Sequence, residues 1–305
     1  MKTQLFAITR SFQGGATFAT FDKTKFEKGV VAPIKKLLST APPELLGLAV
    51  VTCAEAGSKY AEEVRDYVTG TTAMHDEHDF ETPTTHYLCK AFPEEVASGR
   101  LVPMLCRNWG LNAGSGTALN AGIAMARTHK ANSVLLWSPE IDLTGHMVSE
   151  MLNHMDQHAL HLVGYMRNRW YQRLQWAFAQ NTCAIWDIDV LGAVGGMNPA
   201  CNGDGITTIS TPEFGDVPLA GMEDIEAYFR ASASLGEFIR WGAVGMRHPA
   251  VWNLALKVPG TREYDDNAKK IARQGLVMDA YAKRIFPDLE PIDVYDKMMQ
   301  VASFA

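Results

Sequence analysis

Cysteine is scarce in this chain. Five in 305 residues, odd in number and without a CxxC pair, supply neither a disulfide framework nor a thiolate zinc site. Cys53, Cys89, Cys106, Cys183 and Cys201 read instead as buried free thiols. Long apolar runs are also missing: stretches such as Leu45 to Val51 fall far short of the ~20 residues that a membrane helix needs. At the start, Leu5 to Ile8 gives only a short apolar segment before Thr9 and Arg10, whereas a secretory signal needs an apolar core of roughly 7–15 residues. A cytoplasmic location is the expectation. Basic charge is in deficit as well, with 28 Lys and Arg against 34 Asp and Glu, so no excess is left for a nucleic-acid surface. If an acidic chain holds a diphosphate it must gather local cations, and a divalent metal on acidic side chains supplies them.

What is present is core. At 47% hydrophobic and 20% charged, the chain can bury one large domain or two intimate ones. Its pattern alternates strand and helix: Leu5 to Thr9 as strand, Lys23 to Leu38 as helix, Leu46 to Cys53 as strand, Lys59 to Val68 as helix. That order predicts an α/β fold with a largely parallel sheet covered on both faces. Thr69 to Pro93 reads as an irregular excursion and Leu101 to Cys106 as the third strand. Further on, His146 to His158 reads as helix, Leu160 to Met166 as strand, Met222 to Gly236 as helix, and Asp265 to Phe286 as a long amphipathic helix ended by Pro287. Asn181 to Pro218, rich in Gly, Pro and Asn, reads as long loops around a site.

The densest chemistry lies between Arg107 and Asp142. A Gly-rich turn leads into a helix with small residues at Ala118, Ala121, Gly122, Ala124 and Ala126, able to pack close to a sheet. The apolar strand Ser133 to Trp137 follows, and just past it stand Glu140 and Asp142. Two residues apart in extended backbone, both carboxylates would point to one side, at the sheet edge where open α/β folds bind ligands. Paired carboxylates there suit a hard cation and the phosphates it carries.

These pieces, in order, resemble a GT-A glycosyltransferase of the large inverting, family 2-like group that uses nucleotide sugars. Arg107-Asn108 and Gly110, then Asn120 and Gly122, then Glu140-Ile141-Asp142, match its strand end, helix start and D-x-D motif, with Glu in the first acidic place. Gly195-Gly196-Met197, then Gly221-Met222-Glu223-Asp224, then Val244 to His248, match its later segments, so the resemblance covers roughly the first 250 residues. It implies a mixed, mostly parallel central sheet flanked by helices. It also implies a catalytic domain over residues 1–263, with a nucleotide-binding half (1–145) and an acceptor half (146–263), and a helical extension over 264–305. By the same resemblance Asp224 is the catalytic base with Glu223 beside it, and Asp142 a ligand for Mn²⁺ or Mg²⁺ with His248 as a further ligand. Thr9, Arg10, Glu55, Arg107, Asn120 and Glu140 then fall near the nucleotide. The implied activity is metal-dependent transfer of a sugar from a nucleotide-sugar donor to an acceptor hydroxyl, with inversion. The acceptor is unspecified and a homo-oligomer is left open.

Bland readings stand beside these. Asp142 with Thr144 can cap the following helix. Acids at Glu223 and Asp224 suit a first helical turn, and His248 before Pro249 can be a packed loop histidine. His75 and His78, in an acidic run, lack a second pair to complete a tetrahedral site. The aromatic and basic residues from Arg167 to Trp176 suit either a sugar-stacking groove or the core. Two other functions stay open: a sugar nucleotidyltransferase, against which Arg10 to Gly15 is a poor glycine-rich loop, and a non-catalytic domain of the same fold that only binds.

Overall fold

The structure, a computed structural model, describes residues 3–11, 18–53, 82–106, 116–166, 183–198, 208–211, 215–218, 223–248 and 278–305. Its centre is an eight-stranded sheet with the order β10-β9-β5-β6-β4-β1-β2-β3. The strands are β1 (Leu5–Ser11), β2 (Leu45–Cys53), β3 (Leu101–Cys106), β4 (Ser133–Trp137), β5 (Leu162–Tyr165), β6 (Cys183–Asp187), β9 (Trp241–Val244) and β10 (Ala302–Phe304). All are parallel except β6, which runs antiparallel to both β4 and β5. The remaining two, β7 (Thr208–Thr211) and β8 (Gly215–Pro218), form a separate antiparallel hairpin. This is the α/β class expected: a mixed, mostly parallel sheet flanked by helices.

Helices cover both faces, which explains why the central strands are almost continuously apolar. Along β1, Phe6 and Ile8 enter one core while Leu5 and Ala7 enter the other. The first core holds α5 (Gly116–Thr128), α7 (Ile188–Ala193), α8 (Glu223–Leu235), the helical residues 278–285 and α9 (Pro291–Gln300). The second holds α1 (Lys23–Phe26), α2 (Ala32–Thr40), α3 (Pro83–Ala91), α4 (Pro93–Ala97) and α6 (Gly145–His158). Between α1 and α2 a π-helical turn, Glu27–Val31, interrupts the single helix read from the sequence. It ends just before Pro33, whose missing N–H deletes an i→i−4 bond that a widened turn absorbs.

Two stretches expected to be irregular carry regular structure. Pro83 opens α3 rather than breaking the chain, because Thr82 and Thr85 form a reciprocal capping box around it. Within the Gly- and Asn-rich region, the buried run Cys183–Asp187 makes β6, and the Asp187 carboxylate then accepts from the amides of Asp189 and Val190 to start α7. At the C-terminus β10 adds a parallel strand beside β9, and the Trp241 indole donates to the Met298 carbonyl at 3.0 Å.

Close packing of α5 on β1 depends on Gly122. A Cβ there would lie 2.4 Å from Cγ2 of Ile8. Gly122→Ala is therefore expected to cost about 1–3 kcal/mol through overpacking, despite the ~1 kcal/mol that Ala gains in helix propensity. Urea unfolding reads the difference, and a variant as stable as the parent would show that α5 is free to shift outward.

Candidate active site at the carboxyl edge of the sheet

The chain builds β1, β2 and β3 outward in one direction, then returns to place β4 on the other side of β1. Such a reversal opens a crevice beyond the carboxyl ends of the two strands, where open α/β sheets hold ligands. Arg10 stands at the end of β1 and Glu140 just past β4, so the two flank that crevice. Thr9, on the opposite face of β1, is fully buried, and its hydroxyl has no hydrogen-bond partner among the described residues.

Arg10 shares the parity of Phe6 and Ile8 and so belongs to the face covered by α5 and α8. Desolvation pulls its pKa below the ordinary arginine value, and the charges of Glu223, Glu140 and Asp224, in that order, oppose the shift. One guanidinium thus lies within electrostatic reach of three carboxylates, from the turn after β4 and from the first turn of α8. Glu223 is buried and Asp224 half-buried, with one Asp224 oxygen accepting from the Ile225 amide at 2.9 Å.

Glu140 and Asp142 do not lie side by side in extended backbone. The Ile141 amide donates to the Ser138 carbonyl at 2.9 Å, closing a tight turn with Pro139 and Glu140 at its corners. Proline's fixed φ favours the first corner. The Trp137 indole, donating to the Ile141 carbonyl at 3.1 Å, holds the turn to the strand. Glu140 lies within electrostatic reach of Arg10, whereas Asp142 pairs with Lys36 of α2 at 2.5 Å on the other side of the sheet. The helix cap that Asp142 might have supplied comes from Thr144, which accepts from the Met147 amide.

Asn120, read as a nucleotide contact, engages protein backbone at both ends. Its amide nitrogen donates to the Met197 carbonyl at 2.7 Å, and its oxygen accepts from the Met197 amide at 2.8 Å. Gly196 beside it has φ +87 and would place a Cβ 2.4 Å from the Asn120 oxygen. Residues of α8 hold the same loop: Arg230 donates to the carbonyls of Val194 and Gly196, the latter at 2.9 Å. Buried Glu226 accepts from Asn198 at 3.0 Å and from the Tyr281 hydroxyl at 2.9 Å, and pairs with Arg230 at 2.6 Å. The sequence reading missed this network. An acid and an arginine four apart on one helix, Glu226 and Arg230, were the visible signal.

His248 lies past β9, exposed, and its carbonyl shares the Tyr165 hydroxyl proton with Glu150, at 3.3 and 3.0 Å. Burial and the bond to Glu150 raise the Tyr165 pKa well above the ordinary phenol value. Two strands separate β9 from β4, a span of about 14 Å at the usual strand spacing. The structure therefore gathers Arg10, Glu140, Glu223 and Asp224 and sets Asp142 and His248 apart from them. Glu55, Arg107, His75, His78 and the aromatic stretch from Arg167 lie outside the described residues. Among the described residues no three His, Cys, Asp or Glu side chains are grouped to hold a metal ion.

The carboxylate chemistry is nonetheless compatible with a hard cation. Mg²⁺ and Mn²⁺ take oxygen ligands, and Mg²⁺ commonly binds through one or two carboxylates with phosphates and water completing the shell. Asp142 meets that need, being 55% exposed and held by a solvent-exposed pair that is worth little.

No family model matches the chain, and no curated protein does. Among solved structures it is similar to Staphylococcus aureus TarS 1–349 in complex with UDP, with TM-score 0.47 and 9% identity over 82% of this chain and 60% of that one. It is also similar to glucosyl-3-phosphoglycerate synthase from Mycobacterium tuberculosis in complex with Mn²⁺, UDP and phosphoglyceric acid, with TM-score 0.48 and 10% identity over 93% of this chain and 78% of that one. A further complex of that synthase, with UDP, gives TM-score 0.43 and 12% identity over 90% and 77%. The chain thus spans about 60% of the length of the TarS fragment.

The buried network yields a ranking of variants. Glu226→Ala leaves Arg230, Asn198 and Tyr281 facing an empty carboxylate position and is expected to cost about 3–5 kcal/mol, as for a broken buried pair. Tyr281→Phe removes one hydrogen bond and is expected to cost about 0.5–1.5 kcal/mol. Chemical denaturation of both variants would disprove the network if the order were reversed.

Proposed function

We propose that this protein is a nucleotide-sugar-dependent glycosyltransferase working by inversion, with a divalent cation, Mn²⁺ or Mg²⁺, at its donor site. The observation that supports this most is the convergence of Arg10, Glu140 and the acidic start of α8 on the crevice between β1 and β4. A cation at that crevice suits a diphosphate, and a carboxylate opposite it suits an acceptor hydroxyl. UDP is the nucleotide to test first.

In this reading the acceptor oxygen forms a bond to the anomeric carbon as the bond from that carbon to the diphosphate oxygen breaks. Asp224 takes the hydroxyl proton, which is within its power if the acceptor lies in hydrogen-bond reach. Glu223, buried beside it, orients the acceptor or the helix end. Arg10, half-buried, meets part of the charge that develops on the leaving diphosphate. Thr9 offers its unpartnered hydroxyl at the same strand end. To hold the cation Asp142 would have to leave Lys36 and turn toward the crevice, and the cation when bound would neutralise phosphate charge. His248 would contribute from the carboxyl edge of β9. Asn120 acts through the Met197 loop that it holds, while Glu55 and Arg107 are further donor-side contacts.

Asp224→Asn keeps the shape and removes the proton acceptor, so turnover should fall by roughly 10²–10⁴-fold. UDP affinity should change little. Glu223→Gln should cost less, and full turnover in the Asp224 variant would exclude it as the base.

UDP with Mn²⁺ at ~100 times its dissociation constant should add about 2.7 kcal/mol to apparent stability, and Arg10→Gln should lose most of that gain. A melting temperature unmoved by UDP, UDP-sugars and either metal would instead favour a binding or structural role for the fold.

A further inference from the structure

The chain-wide deficit of basic charge hides a local excess. Residues 23–36 hold five lysines (Lys23, Lys25, Lys28, Lys35 and Lys36) and one acid, Glu27, in a chain whose net charge is −6. They lie on one continuous helical stretch, α1, the π-helical turn and α2, whose inner side packs into the second core through Phe26, Val30, Val31, Ile34, Leu37 and Leu38. All five lysines are exposed on its outer side. Lys35 pairs with Glu27 and Lys36 with Asp142, whereas Lys23, Lys25 and Lys28 make no ion pair among the described residues. Their charge is open to a partner from outside the chain.

An apolar group stands at one end of this row. Phe18 is 52% exposed, and its ring meets that of His86 edge-on at 5.4 Å. Next to it Phe21 stacks on Tyr87 at 5.0 Å, and the Lys23 ammonium lies 5.2 Å from the centre of the same Tyr87 ring. These contacts tie residues 18–23 to α3, so that Phe18 and the first lysines belong to one folded surface. Lysines along the outer side of a packed helix, with a large apolar side chain beside them, suit a partner that is negatively charged over an area and apolar just beneath. An anionic lipid bilayer is such a partner. Lysine offers a point charge on a flexible stem rather than the planar fork that grips individual phosphates, and no arginine stands among residues 18–40, which makes a nucleic acid the poorer fit.

We propose that the outer side of α1 and α2, together with Phe18, is a docking surface for membranes rich in anionic phospholipid, on which the protein sits peripherally and reversibly. No spanning helix is needed: the lysines stay among the headgroups and Phe18 reaches the acyl boundary. The inference stands apart from the proposed function, and its test needs no turnover.

The test is co-sedimentation of the full chain with vesicles of phosphatidylcholine alone and of equal parts phosphatidylcholine and phosphatidylglycerol. The parent should sediment with the anionic vesicles at low salt and stay in solution with the neutral ones, and added salt should release it. Lys23→Gln, Lys25→Gln and Lys28→Gln together should weaken partitioning by roughly fivefold per charge, about a hundredfold in all, the scale of a lysine near an anionic surface. Phe18→Ser should weaken it by about three- to tenfold, a factor that salt should not change because the contribution is apolar. The control removes three charges elsewhere, through Arg240→Gln, Arg284→Gln and Lys297→Gln, all at exposed positions. It should change partitioning by less than about threefold, since those charges lie away from the docking side. Melting temperatures close to the parent's verify that each variant is folded. A parent that binds neither kind of vesicle, or both equally, overturns the proposal, and so does an equal loss in the lysine variant and the control. Binding of single-stranded polyuridylate through the same lysines, with no binding to vesicles, would overturn it by assigning the row to nucleic acid.

Discussion

A half-buried arginine at the end of a central strand constrains everything around it. Arg10 belongs to β1, the strand on which the sheet's direction of growth reverses, and desolvation there must be offset by charge. The offset comes from Glu140 after β4 and from Glu223 and Asp224 on α8, elements far apart in sequence. For α8 to bring its acidic first turn to that point it must itself be fixed. Glu226, Arg230 and Tyr281 do this with buried hydrogen bonds to the 194–198 loop, while Asn120 grips the same loop from α5. This polar network on the first face of the sheet joins α8, α5, the 194–198 loop and the helical residues 278–285.

The sheet also divides the acidic pair. After the turn at Pro139, Glu140 stays within electrostatic reach of Arg10 and Asp142 pairs with Lys36. Asp142 is thus paired with a lysine, while Glu140 shares the field of Arg10 with Glu223 and Asp224. An exposed ion pair such as that of Asp142 is a weak commitment.

The sheet was legible in the sequence because its strands are buried on both faces and read as unbroken apolar runs, as in Leu5 to Ile8 and Ser133 to Trp137. The small-residue helix was legible too, since Gly122 against Ile8 is what such a stripe is for. Harder to read were the places where punctuating residues begin elements instead of ending them: Pro83 within a threonine capping box, and Asp187 capping a short helix after a five-residue strand. β10 has only three residues and depends on its neighbour for definition. The members of the site were picked out by motif, but their grouping was not visible. Spacing in sequence suggested that Glu140 and Asp142 act together, and only the turn hydrogen bond and the position of α2 show that they part. Lys36 carried no local signal at all, because its partner is brought to it by the packing of α2 and α6.

The central claim is that a nucleoside diphosphate binds in the crevice between the ends of β1 and β4, against Arg10 and opposite Asp224. A crystal structure of the full chain grown with UDP and Mn²⁺ tests it most directly. The account predicts diphosphate oxygens within hydrogen-bond distance of the Arg10 guanidinium, the cation on those same oxygens, and the Asp224 carboxylate facing the open side of the diphosphate. UDP bound elsewhere, or bound in that crevice with Arg10 still turned to its carboxylates and making no contact with phosphate, would contradict it.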